Sequence, residues 1–300
     1  MRKANTLDFF LLLLLGAIWG SSFFNIKIAT LHYEPITLAT IRVFFAAIPL
    51  LLWCKIKKIR VLCFSKEWKS YALIGLCNIV LPFIFIAIGT NYVDSYLAAI
   101  LMSTTPISGS ILAHFFTQNE KINFIKTLGI MIGFSGVILL FFDDLIINSN
   151  NIFFAIIILI GSTFYSIAGV ITLKLFTKHK NENVTTSTMI WSLLFLIPLS
   201  LIFEDPLLSS PDFISTLSLI YLGVVATGIA WMIRFYILTN NGLVFQTQVA
   251  YLIPIFGVIF GNVFLNEEIS WKVIVSLIII LIGIFIVKNN NIIEKKTYAS

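Results

Sequence analysis

The chain is dominated by long apolar runs that alternate with short polar segments. A transmembrane helix needs about 20 mostly apolar residues, and ten runs approach or exceed that length. They lie at about 7–27, 36–54, 70–90, 94–117, 124–142, 152–174, 186–203, 214–237, 243–265 and 270–288. Because most of the connections are short, consecutive spans are predicted to be antiparallel. The pattern predicts an all-α integral membrane protein with ten transmembrane helices.

Composition supports a lipid environment. Of the 300 residues, 59% are hydrophobic and 11% are charged, whereas a soluble domain is about 25% charged. The net charge of +6 does not indicate nucleic-acid binding, because the basic residues lie in short gaps between apolar runs. The three cysteines form no CxxC pair, so we expect no disulfide framework, metal site or cofactor.

The basic residues predict the orientation of the spans. If the N-terminus is cytoplasmic, 17 of the 20 Lys and Arg residues fall on the inner side, while the outer connections are acidic. This asymmetry predicts that both termini are cytoplasmic in a bacterial-type inner membrane. The first run extends to about Ile26, long enough to span, so we expect a retained helix and not a cleaved signal peptide.

The two halves of the chain resemble each other at an offset of about 148 residues. The matched landmarks include Gly75 with Gly223, Pro49 with Pro198, and Pro106 with Pro254. Each half has five spans, an odd number, so the second copy is predicted to be inverted relative to the first. We expect one repeat over 1–145, a second over 150–288, and a cytoplasmic tail over 289–300. Inverted repeats are typical of transporters with a substrate site at the repeat interface.

Several motifs resemble the EamA-type members of the drug/metabolite transporter superfamily. These are Trp19-Gly20-Ser21-Ser22-Phe23 in span 1, Arg42 in span 2, Ala98-Ala99-Ile100-Leu101 through Pro106 to Glu120 in span 4, and Tyr251-Leu252-Ile253-Pro254 through Glu267 in span 9. Val43, Asn119 and Asn266 depart from the family pattern. The resemblance covers nearly the whole chain and implies a membrane transporter, while leaving the substrate open.

Arg42 is the foremost candidate for substrate binding. It lies about 9 Å into span 2 at 1.5 Å per residue, and ionisable residues inside a membrane are costly and often functional. Its guanidinium suits a carboxylate or phosphate. The alternative is that Arg42 extends outward or pairs with Glu34 or Asp94. Its counterpart in the second half is Trp191, so the pseudo-symmetry is broken in charge at this position.

Other polar and aromatic residues within spans are candidates to line a central cavity. With Arg42, the candidate substrate-binding residues are Trp19, Asn25, Asn78, Tyr165, Trp231, Gln248 and Tyr251. Pro106 and Pro254 are candidate helix hinges, although Thr104 and Thr105 also suit capping of a freed carbonyl. Small polar residues such as Ser21 serve helix packing equally well. Glu120 and Glu267 are expected to cap the helices that follow them.

The sequence favours a secondary transporter that moves a small polar metabolite by alternating access. Export of an amino acid or a related metabolite is the leading hypothesis, and uptake or exchange of a nucleotide-linked metabolite or vitamin is the alternative. An intramembrane enzyme is a remote alternative, because the three histidines are scattered, and inverted halves argue against a scaffold. No GxxxxGK[ST] loop supports a primary pump. The expected partners are a small-molecule substrate and the lipid bilayer, with no nucleic acid; a homodimer is left open.

Overall fold

The structure is a bundle of long helices. The computed structural model describes residues 4–116, 123–140, 149–176, 180–206, 212–241 and 243–297. The spans, in chain order, are α1 (Thr6–Ala29), α2 (Pro35–Ile56), α3 (Trp68–Gly75, Leu76–Val80 and Leu81–Tyr92), α4 (Ser95–Ser103 and Thr105–Phe116), α5 (Phe124–Leu140), α6 (Ser149–Phe176), α7 (Asn181–Phe203), α8 (Phe213–Gly223, Val224–Ile229 and Ala230–Asn241), α9 (Val249–Leu265) and α10 (Trp271–Thr297).

The helices have the length and composition that a multi-pass membrane protein needs. Seven of them, α1 to α4 and α6 to α8, carry stretches of 18 or more residues that are apolar enough to cross a membrane. Shorter apolar helices over Phe124–Leu140, Val249–Leu265 and Trp271–Val287 belong to α5, α9 and α10. At 1.5 Å per residue, 17 residues reach about 25 Å, near the lower limit for a span. The predicted all-α membrane architecture is confirmed, and the described helices agree with the predicted count of ten.

The main helix contacts follow an approximate twofold relation between the two halves. α1 packs on α9 as α6 packs on α4, and α3 packs on α6 as α8 packs on α1. α2 contacts α8 as α7 contacts α3. The pairs α2–α7, α4–α9 and α5–α10 each join a helix to its own counterpart. This pattern agrees with two inverted five-helix repeats.

The α5–α10 pair depends on close approach of the two backbones at glycines. A Cβ atom on Gly283 of α10 would lie 2.7 Å from the Gly129 carbonyl oxygen and against the backbone of Gly133 in α5. On the other side, a Cβ atom on Gly136 would lie 3.0 Å from the Ser276 carbonyl oxygen of α10. Small residues allow such contacts, and in lipid the resulting van der Waals packing drives helix association.

Wide π-helical turns occupy equivalent positions in α3 and α8. They span Leu76–Val80 and Val224–Ile229, so their starts are separated by the 148 residues of the sequence repeat. Each turn follows a closely packed glycine. A Cβ atom on Gly75 would lie 3.0 Å from the Thr188 carbonyl oxygen of α7, and one on Gly223 would lie 2.8 Å from the Arg42 carbonyl oxygen of α2. Turns of this kind are often found at functional sites.

Glu267 caps a helix of the opposite repeat. Its carboxylate accepts hydrogen bonds from the Ser95 backbone N–H at 2.7 Å, the Ser95 hydroxyl at 2.9 Å and the Tyr96 backbone N–H at 3.2 Å. The Glu267 carboxylate therefore accepts hydrogen bonds from N–H groups at the start of α4 that have no partner within the helix, and its charge complements the helix dipole. The expectation that it caps the following helix, α10, is wrong, since folding brings the α9 C-terminus against the α4 N-terminus. Glu120 lies outside the described residues.

Two further charged side chains hold helix ends together. Glu204, which follows α7, accepts hydrogen bonds from the Ile36 and Thr37 backbone N–H groups at the start of α2, at 2.8 and 2.6 Å. Lys27 at the end of α1 donates to the Asn91 and Val93 carbonyl oxygens at the end of α3, at 3.1 and 2.8 Å. A carboxylate at a helix N-terminus and an ammonium at a C-terminus both complement the helix dipole.

Substitution of Gly283 by Ala tests the α5–α10 contact. The added methyl group overlaps backbone atoms that cannot rotate away, so we expect Gly283→Ala to lower the free energy of unfolding by about 1–3 kcal/mol. Thermal unfolding of the purified protein in detergent measures the change. Gly169→Ala is the matched control, since a Cβ atom there meets nothing within 4 Å. Equal stability of the two variants would contradict the close packing.

Substitution of Glu267 by Gln tests the cap that joins the two repeats. The neutral amide gives weaker hydrogen bonds than the carboxylate and loses the charge–dipole interaction, so we expect a loss of about 1–3 kcal/mol in unfolding free energy. Glu268→Gln is the control, because the adjacent Glu268 side chain is exposed. Thermal unfolding of both variants is the measurement. A Glu267→Gln protein as stable as the Glu268→Gln protein would refute the structural role.

Candidate functional site

Arg42 lies inside the bundle, where α2, α3 and α8 meet. Its side chain is only 8% exposed. The Nε–H group donates a hydrogen bond to the Thr227 hydroxyl of α8 at 3.0 Å. The guanidinium carbon lies 4.0 Å from the centroid of the Phe83 ring of α3. A cation over an aromatic face is attracted by the ring quadrupole, more strongly where water is excluded.

The π-helical turn of α8 supplies the polar partner of Arg42. A π turn displaces backbone carbonyls from the regular α-helical ladder, and in a bilayer each needs another donor. The Thr227 hydroxyl donates to the Leu222 carbonyl oxygen at 2.8 Å while it accepts from Arg42. The Trp19 indole N–H of α1 donates to the Ala226 carbonyl oxygen at 3.1 Å. The turn thus connects α1 and α2 through two of the predicted site residues.

The Phe83 ring that contacts the guanidinium belongs to a cluster of aromatic residues from three helices. We use "the aromatic cluster" for Phe83, Tyr165, Trp231 and Phe235, which come from α3, α6 and α8. Phe83 and Phe235 are buried in one hydrophobic core cluster, and Tyr165 and Trp231 pack against it. Tyr165 is also close enough to interact electrostatically with Arg42. Tyr165 and Trp231, two of the predicted site residues, therefore pack against the same cluster as the Phe83 ring that contacts Arg42, and their role in substrate binding stays a prediction.

No acidic side chain neutralises Arg42 among the described residues. The ion pair in the described part of the chain joins His32 and Asp212 at 3.7 Å and does not include Arg42. Glu34 and Asp94, the acids considered as its partners, are N-cap residues of α2 and α4 and form no ion pair with it. A buried charge is costly unless it is paired. The site therefore presents an uncompensated positive charge to any anion that reaches it.

The remaining predicted residues are more widely distributed. Asn25 is buried in α1 and donates to the Ser21 carbonyl oxygen at 2.8 Å, within its own helix. Asn78 lies in the π-helical turn of α3 and is partly buried. Tyr251 of α9 is partly buried against the larger hydrophobic core. Gln248 is exposed at the N-cap of α9, so the structure does not place it in the aromatic cluster.

The two predicted hinges differ in backbone structure. α4 is interrupted at Thr104, two residues before Pro106, whereas α9 continues as a helix through Pro254. Proline removes the donor that would satisfy the carbonyl four residues earlier. In α4 the Thr105 hydroxyl donates to that carbonyl, of Met102, at 2.6 Å. The break in α4 is thus stabilised locally, and a role of either proline in movement stays a prediction.

The sequence did not identify the π-helical turns or Thr227. The matched glycines, Gly75 and Gly223, mark the start of both turns, but the turns themselves depend on packing against α7 and α2. Arg234 is one of the 17 basic residues predicted to lie on the inner side. The structure places it beside Trp231, with 4.5 Å between its guanidinium carbon and the ring centroid. Across the described ranges, no group of three or more His, Cys, Asp or Glu side chains could hold a metal ion.

Comparison with known proteins finds relatives that match nearly the whole length of the chain. An uncharacterized transporter, YoaV of Bacillus subtilis strain 168, is 26% identical over 270 residues, which cover 89% of this chain and 92% of that protein. An uncharacterized transporter of Archaeoglobus fulgidus is 26% identical over 286 residues, 94% of this chain and 97% of its own length. Protein PagO of Salmonella typhimurium is 25% identical over 295 residues, 95% and 93% of the two chains.

A solved structure shows the same fold. Described only as the crystal structure of a protein, it matches with a TM-score of 0.67 at 14% identity, over 92% of this chain and 96% of that one. The sequence model of the EamA-like transporter family matches twice, over residues 7–142 and 152–288. These matches include both halves of the helix bundle and the site around Arg42. The protein is a membrane transporter and belongs to the EamA-like transporter family.

Proposed function

We propose that this transporter moves a small anionic or zwitterionic metabolite by alternating access, with Arg42 as the residue that binds its negative group. The observation that carries the proposal is a buried guanidinium with no acidic partner in the described part of the chain. A carboxylate or phosphate of the substrate would supply the missing counter-charge through the free Nη donors. Binding would then offset part of the cost of burying the cation.

Export of an amino acid or a related metabolite is the leading candidate. An amino acid brings a carboxylate for Arg42, and the Tyr165 and Thr227 hydroxyls and the Trp19 side chain offer polar and aromatic surface around it. The symmetric helix contacts support alternating access, because the same contacts exchanged between the repeats generate a second conformation open to the opposite side. The basic residues favour an inner membrane location with both termini in the cytoplasm.

A nucleotide-linked metabolite is the second candidate, and the aromatic cluster favours it. Phosphate oxygens accept paired hydrogen bonds from the planar guanidinium of arginine, and rings such as Phe83 and Trp231 can stack on a base. Both candidates share the anionic group at Arg42. They differ in how much aromatic surface the rest of the substrate needs.

Transport in proteoliposomes tests the proposal. The purified protein would be reconstituted and assayed with labelled acidic, neutral and aromatic amino acids, nucleotide sugars, phosphate esters and vitamins, under proton, sodium and exchange gradients. We expect at least one solute with a carboxylate or phosphate to move in a saturable manner. Transport confined to cationic solutes, or no transport and no thermal stabilisation by any solute, would overturn it.

Arg42 variants separate a binding role from a structural one. A charge-assisted hydrogen bond is worth about 1.5–3 kcal/mol, so we expect Arg42→Gln to reduce transport of the identified solute by about 10- to 100-fold. Arg42→Lys should retain part of the activity, because the charge remains while the bidentate geometry is lost. Thermal stability of Arg42→Gln should be unchanged or higher, since an unpaired buried charge is removed.

Arg60→Gln is the control for the loss of a positive charge, because Arg60 is exposed in the connection after α2. It should transport at the wild-type rate. If Arg42→Gln transported as well as Arg60→Gln, Arg42 would not bind the substrate. If Arg42→Gln lost both transport and thermal stability, Arg42 would be a structural residue.

A further inference from the structure

A second arginine, Arg234, lies further along α8 on the side of Arg42. It is partly buried in the last segment of this helix, Ala230–Asn241. Its guanidinium carbon lies 4.5 Å from the centroid of the Trp231 ring. The geometry repeats that of Arg42 over Phe83 at 4.0 Å. Both arginines are therefore stabilised by aromatic faces of the same cluster.

Arg234 also lacks an acidic partner among the residues described. No carboxylate in the described ranges lies within 4.0 Å of its guanidinium nitrogens. Asp8, the buried acid of the neighbouring α1, accepts hydrogen bonds instead from the Asn5 backbone N–H at 2.8 Å and the Asn241 side chain at 3.0 Å. The positive charge of Arg234 is thus as uncompensated as that of Arg42.

Arg234 and Thr227, the partner of Arg42, lie along one face of α8. Thr227, which binds Arg42, is followed by Trp231 four residues later and by Arg234 three residues after that. Residues at such spacings are neighbours on one helix face. Seven residues correspond to about 10 Å along a helix axis. Arg234 therefore lies about 10 Å closer than Arg42 to the end of α8 that the basic residues assign to the cytoplasm.

The two arginines contact different rings of the aromatic cluster, Arg42 that of Phe83 and Arg234 that of Trp231. Trp231 packs against the core cluster that contains Phe83 and Phe235, and its ring centroid is 5.9 Å from that of Phe235. An anion at Arg42 would therefore lie beside Phe83, and an anion at Arg234 beside Trp231.

We propose that Arg234 is a second anion-binding residue, which receives the carboxylate or phosphate of the substrate beside Trp231, toward the cytoplasmic end of α8. The proposal rests on the proposed function, in which Arg42 binds the same group. The face of α8 with Thr227, Trp231 and Arg234 then forms the path of the anion. The outward-open state exposes Arg42 and the inward-open state exposes Arg234.

Sided transport kinetics test this assignment. Proteoliposomes would carry the wild-type protein, Arg234→Gln, Arg42→Gln or the control Arg60→Gln, with the inserted orientation measured for each. The solute identified by the transport panel would be varied separately on the two sides. We expect Arg234→Gln to raise the half-saturating concentration on the cytoplasmic side about tenfold or more, and that on the outer side by less than about twofold.

Arg42→Gln should show the opposite asymmetry, and Arg60→Gln should change neither value. Arg234→Lys should recover part of the affinity on the cytoplasmic side. If Arg234 only helped to set the membrane orientation, neither variant would change the affinity on one side alone. An unchanged cytoplasmic half-saturating concentration in Arg234→Gln would overturn the proposal. If Arg42→Gln still raised the half-saturating concentration on the outer side in these assays, the proposed function would stand although the inference about Arg234 had failed.

A binding measurement keeps the inference testable if no solute in the panel is transported. The protein would be labelled with 5-fluorotryptophan, and Trp231→Phe would identify the Trp231 resonance. Titration with inorganic phosphate and with acetate should shift this resonance in the wild type and in Arg42→Gln, but not in Arg234→Gln. Absence of a shift in the wild type, or an equal shift in Arg234→Gln, would contradict anion binding at Arg234.

Discussion

The candidate site of this protein depends on a buried guanidinium, Arg42, that has no carboxylate partner in the part of the chain that the structure describes. Arg42 is stabilised by one neutral hydroxyl, Thr227, and by the face of Phe83. Such partners stabilise the cation without cancelling its charge. An internal acid would neutralise the site and compete with an anionic substrate. The arrangement keeps the residue in the membrane interior while leaving its affinity for an anion available.

The inverted repeats provide the framework for this charge, and their differences create the site. Both repeats carry a wide turn after a packed glycine, but the turn of α8 holds Thr227 whereas that of α3 holds Asn78. The counterpart of Arg42 is Trp191, whose indole donates to the Cys63 carbonyl oxygen at 2.8 Å and stacks on Trp68. At this position the first repeat carries the buried guanidinium of Arg42, whereas the second carries Trp191, which stabilises the connection between α2 and α3. In the proposed mechanism, the shared packing would allow two conformations, and the unequal side chains would define a single substrate orientation.

Hydropathy and repeat landmarks predicted the membrane spans because these signals are local or recur at a constant offset. Arg42, Tyr165 and Trp231 could be named as candidates from the sequence, because charged residues, Tyr and Trp are few in this chain. The partner of Glu267 was not predictable, because the contact with Ser95 joins residues 172 positions apart. The π-helical turns depend on helix packing, which hydropathy does not encode. Gln248 had the right chemistry, but the approach of α9 leaves it exposed.

The central claim is that the counter-charge of Arg42 comes from the substrate. A structure of the protein with its transported solute bound, determined in lipid nanodiscs, tests this most directly. The account predicts a carboxylate or phosphate oxygen at about 2.7–2.9 Å from the guanidinium nitrogens, with Thr227 still bound to Nε. A solute bound with no anionic group at Arg42, or an acidic side chain of the protein paired with Arg42 in that state, would contradict it.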